Sequence, residues 1–245
     1  MRDLNRKHIK KRCDNIKRGG IPMNYKEEIE TLFSKWKERH IADEDFAINM
    51  PNLFSKEAFV RDGVPFPDNY FNLPFEKRIL FVLKESNDPD VIGDCSQVKR
   101  YCEFANTGVD NWRGKIREKF ATIYNATMVT GEKLKLTEAI KYIAFININK
   151  RGGGASSNKK VLSQYATKYK DLIKEQIELI DPMFIVCCGT YNFMLKNVYE
   201  GVAPTTRTTL IKMYHPSYWV KSFQEFVEDC RISIESADLE RKDIN

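Results

Sequence analysis

A chain of 245 residues with 42% hydrophobic content can bury one substantial core, and open α/β sheets of this length form a single domain. No window approaches the roughly 18 uninterrupted apolar residues of a membrane span, and the opening "MRDLNRKHIKKRC" lacks the apolar centre of a signal peptide, so a cytoplasmic protein with no membrane partner is expected. The net charge of +6 is localised: Arg2, Arg6, Lys7, Lys10, Lys11, Arg12, Lys17 and Arg18 against Asp3 and Asp14 carry an excess equal to that of the whole chain.

Residues 1–20 therefore read as a basic N-terminal arm, suited to a phosphate backbone because each neutralised phosphate releases counterions, or as a solvated terminus. Residues 21–245 read as one α/β domain. "YKEEIETLFSKWKERHI" sets Ile29, Leu32, Phe33 and Trp36 at helical spacing. Residues 41–75, with Pro51, Pro65, Pro67 and Pro74 among aromatics, read as irregular. "RILFVLKE" is a buried strand ending near Leu83, and "NWRGKIREKFATIY" a helix with Ile116, Phe120 and Ile123 on one face. "KYIAFINI" is the second strand, Val161 to Ile180 one long helix, "MFIVCC" the third strand, "YNFMLKNVY" a helix, "TLIKMY" the fourth strand and "FQEFVEDCRISIE" a closing helix.

Strands alternating with helices predict a three-layer α/β/α sandwich around a four-stranded parallel sheet. Ligands of such sheets bind beyond the carboxyl ends of the strands. "KESNDPD" with Glu85, Ser86, Asn87 and Asp88 follows the first strand, and "NKRGGGASSN" follows Asn147 at the end of the second. "GTYN", with a close-approach glycine, follows the third strand and "HPSYW" the fourth. A carboxylate, amides and a histidine are thus expected on one rim, an active-site constellation. Cys13, Cys95, Cys102, Cys187, Cys188 and Cys230 contain no C-x-x-C pair, and His8, His40 and His215 are far apart. Reduced thiols, no metal cluster and no cofactor are expected.

The ordered set "ILFVLKESND", "AFININKRGGGASS", "IVCCGT" and "YHPSYW" resembles the uracil-DNA glycosylase superfamily from about Ile79 to Trp219. The resemblance implies a monomeric DNA glycosylase that extrudes a base and hydrolyses its N-glycosidic bond. It places Glu85 as the water-positioning carboxylate, with Leu83 where the family motif has glycine. It makes His215 the group that stabilises the departing base and Asn147 the reader of the flipped base. Only one of Asn147 and Asn149 is expected to face the site, Asn147 by the resemblance. Phe104 is a candidate to stack on the base. Lys150, Arg151, Gly152, Gly153 and Ser156 form a candidate clamp on the DNA backbone, and Ser217, Tyr218 and Trp219 a loop that enters the duplex. Lys84 is expected to point away from Glu85.

In the best-known branch of that family a tyrosine blocks the C5 position of the base. Here Asn87 and Asp88 stand in the aligned segment, smaller and able to hydrogen-bond, so a polar C5 substituent is expected to fit. This pattern is similar to that of bacterial anti-phage glycosylases acting on glucosylated hydroxymethylcytosine. Ordinary uracil repair remains open, as do a nucleotide hydrolase using the glycine loop as a phosphate cradle and a DNA-binding module without catalysis. Each residue also has a plainer role: Glu85 as a helix cap, His215 as a turn histidine, Tyr218 and Trp219 as packing for the last helix.

Deleting residues 1–20 is expected to weaken DNA binding and flatten the slope of log affinity against log salt while leaving the domain folded. An unchanged slope rejects a DNA role for the arm.

Overall fold

The computed structural model describes residues 24–43, 57–87, 93–110, 115–153, 157–202, 204, 207–217 and 222–244, so the basic arm lies outside the described residues. Helix α1, Tyr25–Ala42, buries Ile29, Leu32, Phe33 and Trp36 as its spacing predicts. The segment expected to be irregular contains strand β1, Phe59–Arg61, and helix α2, Pro67–Phe71. A three-residue strand is too short to show a period, and Pro67, read as a breaker, is the first residue of a helix, where its missing N–H costs nothing.

Strand β2, Ile79–Glu85, is followed by β3, Asp94–Ser96, and helix α3, Val98–Thr107. Helices α4, Ile116–Met128, and α5, Leu136–Ala139, lead to β4, Ile143–Asn149. The single helix expected from Val161 to Ile180 is two, α6, Lys159–Lys168, and α7, Lys170–Ile180, separated at Tyr169, whose φ of −109° and ψ of 18° leave the helical region. Asn158 caps α6, its side chain accepting from the backbone N–H groups of Lys160 and Val161. Strand β5, Phe184–Cys188, is followed by one turn, α8, Tyr191–Phe193, that continues as a π-turn over Met194–Val198. Strand β6, Thr209–Met213, and the long helix α9, Phe223–Ile244, complete the order.

The central sheet is β4-β2-β5-β6, parallel throughout. Alternation divides its residues between two cores. Leu80, Val82, Ala144, Ile146, Ile185 and Cys187 pack with α1, α6 and α7 through Trp36, Tyr165 and Ile173. Phe81, Phe145, Val186, Cys188 and Ile211 pack with α3, α4 and α9 through Phe104, Phe120 and Phe226. The rings of Phe81 and Phe120 stack at 3.8 Å, as do those of Tyr101 and Phe145. Strand β2 runs two residues beyond Leu83 because β4 continues to pair with it, Glu85 lying opposite Asn149. No helix among the described residues is long and apolar enough to cross a membrane, and Cys95, Cys102, Cys187, Cys188 and Cys230 are free thiols.

Strand β4 is the outermost strand on its side, and an open edge exposes unpaired backbone groups. The segment after β1 covers it. The Val60 N–H donates to the Lys150 carbonyl (2.6 Å), Gly63 and Phe145 exchange backbone hydrogen bonds, and the Asp62 carboxylate accepts from the Asn147 N–H (2.7 Å). Asp62 is buried at 2% exposure beside Lys150 at 0%, and the Lys150 ammonium reaches both its oxygens, at 2.6 and 2.7 Å. Gln176 of α7 donates to the same carboxylate at 2.9 Å. Burial pulls the Lys150 pKa down, and Asp62 opposes that pull. Replacing one member of such a pair strands the other without a counter-ion. Lys150→Met is therefore expected to lower the unfolding free energy by about 3–5 kcal/mol, read from urea denaturation. A change within the range of a surface substitution would show that the pair does not hold the β4 edge.

Candidate active site at the carboxyl edge of the sheet

The chain leaves β2 toward β4 on one side and passes from β5 to β6 on the other, so the switch point of the sheet lies between β2 and β5. The two strands separate there. Their pairing runs from Ile79 opposite Phe184 to Val82 opposite Cys187 and stops, while Leu83 and Glu85 continue along β4. Thr190 spans the fork, its hydroxyl donating to the Val82 carbonyl at 2.8 Å. Glu85 and His215 stand on opposite sides of this fork, on strands two spacings apart, about 10 Å.

Glu85 is half-buried under the glycine loop that follows β4. A Cβ placed on Gly153 would lie 2.5 Å from Glu85 Cγ and 2.8 Å from its Cδ, so only glycine lets the loop close over this carboxyl group. Asn149 Nδ2 donates to Glu85 Oε2 at 3.3 Å, and the Ser157 hydroxyl also donates to it. Burial raises the Glu85 pKa above the usual carboxylate value, against the pull of Ser157, Asn149 and the Lys84 charge.

His215 follows β6, and its pKa is displaced in the opposite direction. Burial, with the charges of Lys84 and Lys119, pulls its pKa down to about 4, so the ring is neutral at pH 7. The Ser217 N–H donates to Nδ1 at 3.2 Å, which leaves the proton on Nε2, where it is a hydrogen-bond donor. Pro216 is buried and its carbonyl accepts from the Lys119 ammonium, which pins the turn that presents the ring. Gly189, at φ +71°, lies against this histidine: a Cβ there would stand 3.4 Å from His215 Cβ and 3.3 Å from Lys84 Cε.

Asn147 and Asn149 are two positions apart and so share a face of the sheet, which corrects the expectation that only one can face the site. Both are buried, and they have different partners. Asn147 donates through Nδ2 to Asp62 and to Gln97, each at 3.3 Å, so its amide hydrogens are engaged inside the protein. Asn149 joins Glu85 to the loop, accepting from the Arg151 N–H at 2.9 Å.

Lys150 and Arg151, expected on the DNA backbone, are fully buried. Lys150 serves Asp62, and Arg151 donates to the His40 carbonyl at 2.8 Å. Gly152 and Gly153 are buried as well, so these four positions support the site from within. Phe104, expected to stack on a base, is 2% exposed in the core beneath α3. Asn87 and Ser217 are exposed, on opposite sides of the fork. Asp88, Ser156, Tyr218 and Trp219 lie outside the described residues. Lys84 leaves β2 on the face opposite Glu85 by alternation, yet its charge acts on both Glu85 and His215.

Sequence reasoning missed Ser157, Lys119 and Asp62. Ser157 closes "GGGASS" just before the Asn158 cap, a readable signal, whereas nothing local marks the other two. Among the described residues no group of three or more His, Cys, Asp or Glu side chains is placed to hold a metal ion. No protein-family model matches the chain, and no curated protein matches it significantly.

Gly153→Ala should force Glu85 and the loop apart. The Glu85 carboxyl, followed by ¹³C NMR, is then expected to titrate nearer the usual carboxylate value as water reaches it, with a stability loss of about 1–3 kcal/mol. An unmoved Glu85 titration would mean that the glycine contact does not control its burial.

Proposed function

We propose that this protein is a monofunctional DNA glycosylase, hydrolysing the N-glycosidic bond of an extruded base to leave an abasic site. The observation that carries the reading is the pairing, across the fork of the sheet, of a desolvated carboxylate with a neutral imidazole whose remaining proton is on Nε2. Breaking a glycosidic bond develops positive charge on the sugar and negative charge on the base, and preorganised groups of these two kinds stabilise one half each. Glu85 faces the sugar side, orients water and takes its proton as the water oxygen bonds to C1′. The bonding pair leaves with the base, to which His215 Nε2–H donates a hydrogen bond, and the base is then protonated from solvent. Because Asn147 has its donors committed, Oδ1 would accept from an amino or imino group of the base.

A base within a duplex is inaccessible, so the nucleotide is extruded at a cost of a few kcal/mol. The segment after Ser217, with Tyr218 and Trp219, is our candidate wedge, and the basic arm our candidate for long-range attraction to DNA. Exposed Asn87, two residues beyond Glu85, favours a pyrimidine with a polar C5 substituent, such as glucosylated hydroxymethylcytosine, over uracil. Hydrogen-bonded recognition of hydroxyls discriminates more strongly than size alone. The burial of Lys150 and Arg151 removes the cations that a phosphate cradle in the glycine loop would use, which disfavours the nucleotide-hydrolase reading.

The test is single-turnover cleavage, after alkali, of DNA carrying uracil, hydroxymethylcytosine or its glucosylated form. Abasic sites are expected on the modified cytosines. Glu85→Gln and His215→Ala should each slow the step by about 100-fold or more, with DNA affinity little changed. Because Glu85 acts as the carboxylate and its pKa is raised, the rate should fall as pH drops through that raised value. Removal of uracil alone would overturn the substrate assignment, and no abasic sites on any substrate would overturn the glycosylase reading.

A further inference from the structure

The electrostatic surroundings of His215 are one-sided. The charges that bear on it are Lys84 and Lys119, both cations. Lys119 of α4 has its ammonium on the Pro216 carbonyl, 5.8 Å from the centre of the Phe223 ring and 5.5 Å from that of Phe226. These partners satisfy a donor without neutralising a charge. Lys84 is half-buried at the end of β2, and among the described residues it makes no ion pair or hydrogen bond. Its stem lies on Gly189, where Lys84 Cε and His215 Cβ converge on the same missing side chain. Two ammonium groups and the histidine ring therefore approach one end of the fork; Lys84 acts electrostatically on the Glu85 carboxyl but forms no ion pair with it, so neither ammonium has a carboxylate in contact among the described residues.

We propose that Lys84, together with His215 and Lys119, forms an anion-binding site at the β5–β6 end of the fork, with Lys84 as the positioning residue that holds a negatively charged group against His215 Nε2–H. The inference deepens the glycosylase reading and rests on it for the identity of the natural occupant, the anionic face of the departing base. A phosphate oxygen of the DNA has the same chemistry. Gly189 is part of the device, since any side chain there would occupy the space in which the lysine stem crosses to the histidine.

The test uses the full chain and two probes, inorganic phosphate and the free pyrimidine base, with the His215 Cε1–H NMR signal as readout. Binding of a probe is expected to shift that signal and to weaken about tenfold in Lys84→Met, the loss of one charge-assisted contact. Lys84→Arg should retain it. Methionine keeps the apolar stem on Gly189, so folding is preserved, and circular dichroism checks this. Competition by the base with DNA turnover, but not by phosphate, would identify the leaving base as occupant, and the reverse would identify the backbone. If neither probe moves His215, or if Lys84→Met binds as the parent does, the inference fails. These titrations need no turnover: anion binding without base removal would sink the glycosylase reading alone, and base removal unaffected by Lys84→Met would sink the anion site alone.

Discussion

A carboxylate buried with its counter-ion sits behind the candidate site, and the geometry of the edge follows from it. Asp62 collects the Lys150 ammonium, the Gln176 amide and the backbone and side-chain N–H groups of Asn147. Taking these two ions out of water costs several kcal/mol each, and the arrangement holds only because nearly every oxygen lone pair is used. Lys150 also lies 5.1 Å from the centre of the Trp36 ring, and its N–H donates to the Tyr165 hydroxyl at 3.2 Å. The pair thus fastens α1, α6, α7 and the covering segment to the end of β4. Arg151 then begins the glycine loop at a point set by Asn149, and Gly153 arrives over Glu85.

A second polar chain runs on the other side of the same strand end. Asn147 donates to Gln97 of the turn before α3, and Gln97 donates to the buried Ser86 hydroxyl next to Glu85. Buried networks of this kind rigidify when satisfied. They leave Glu85 on a strand end braced from both flanks, while its carboxylate is partly desolvated. His215 is braced by different means, a buried proline and a lysine on its carbonyl. Opposite displacements of the two pKa values, one carboxylate upward and one imidazole downward, follow from a shared cause, burial.

The elements most legible in the sequence were those with long, regular patterns. The four strands stand out as apolar runs, α1 and α4 as amphipathic periods, and their alternation implies a parallel sheet with its ligand edge at the carboxyl ends. Glu85, His215 and the close-approach Gly189 could be placed on that edge because each directly ends or follows a strand. The break at Tyr169 was hidden because the apolar spacing continues through it.

What the sequence by itself determined is therefore the layered fold and which residues reach the rim, since both depend on local periodicity and strand order. What only the tertiary structure decided is which rim residues are available. Lys150 and Arg151 look like a surface clamp because charged side chains are rarely buried, and the contrary outcome depends on Asp62, 88 residues before Lys150, and on the carbonyl of His40. Phe104 looks like a stacking platform until α3 turns it into the core. The raised carboxyl of Glu85 and the neutral ring of His215 both arise from burial by segments distant in the chain, and a pattern of neighbours along the chain carries no record of them.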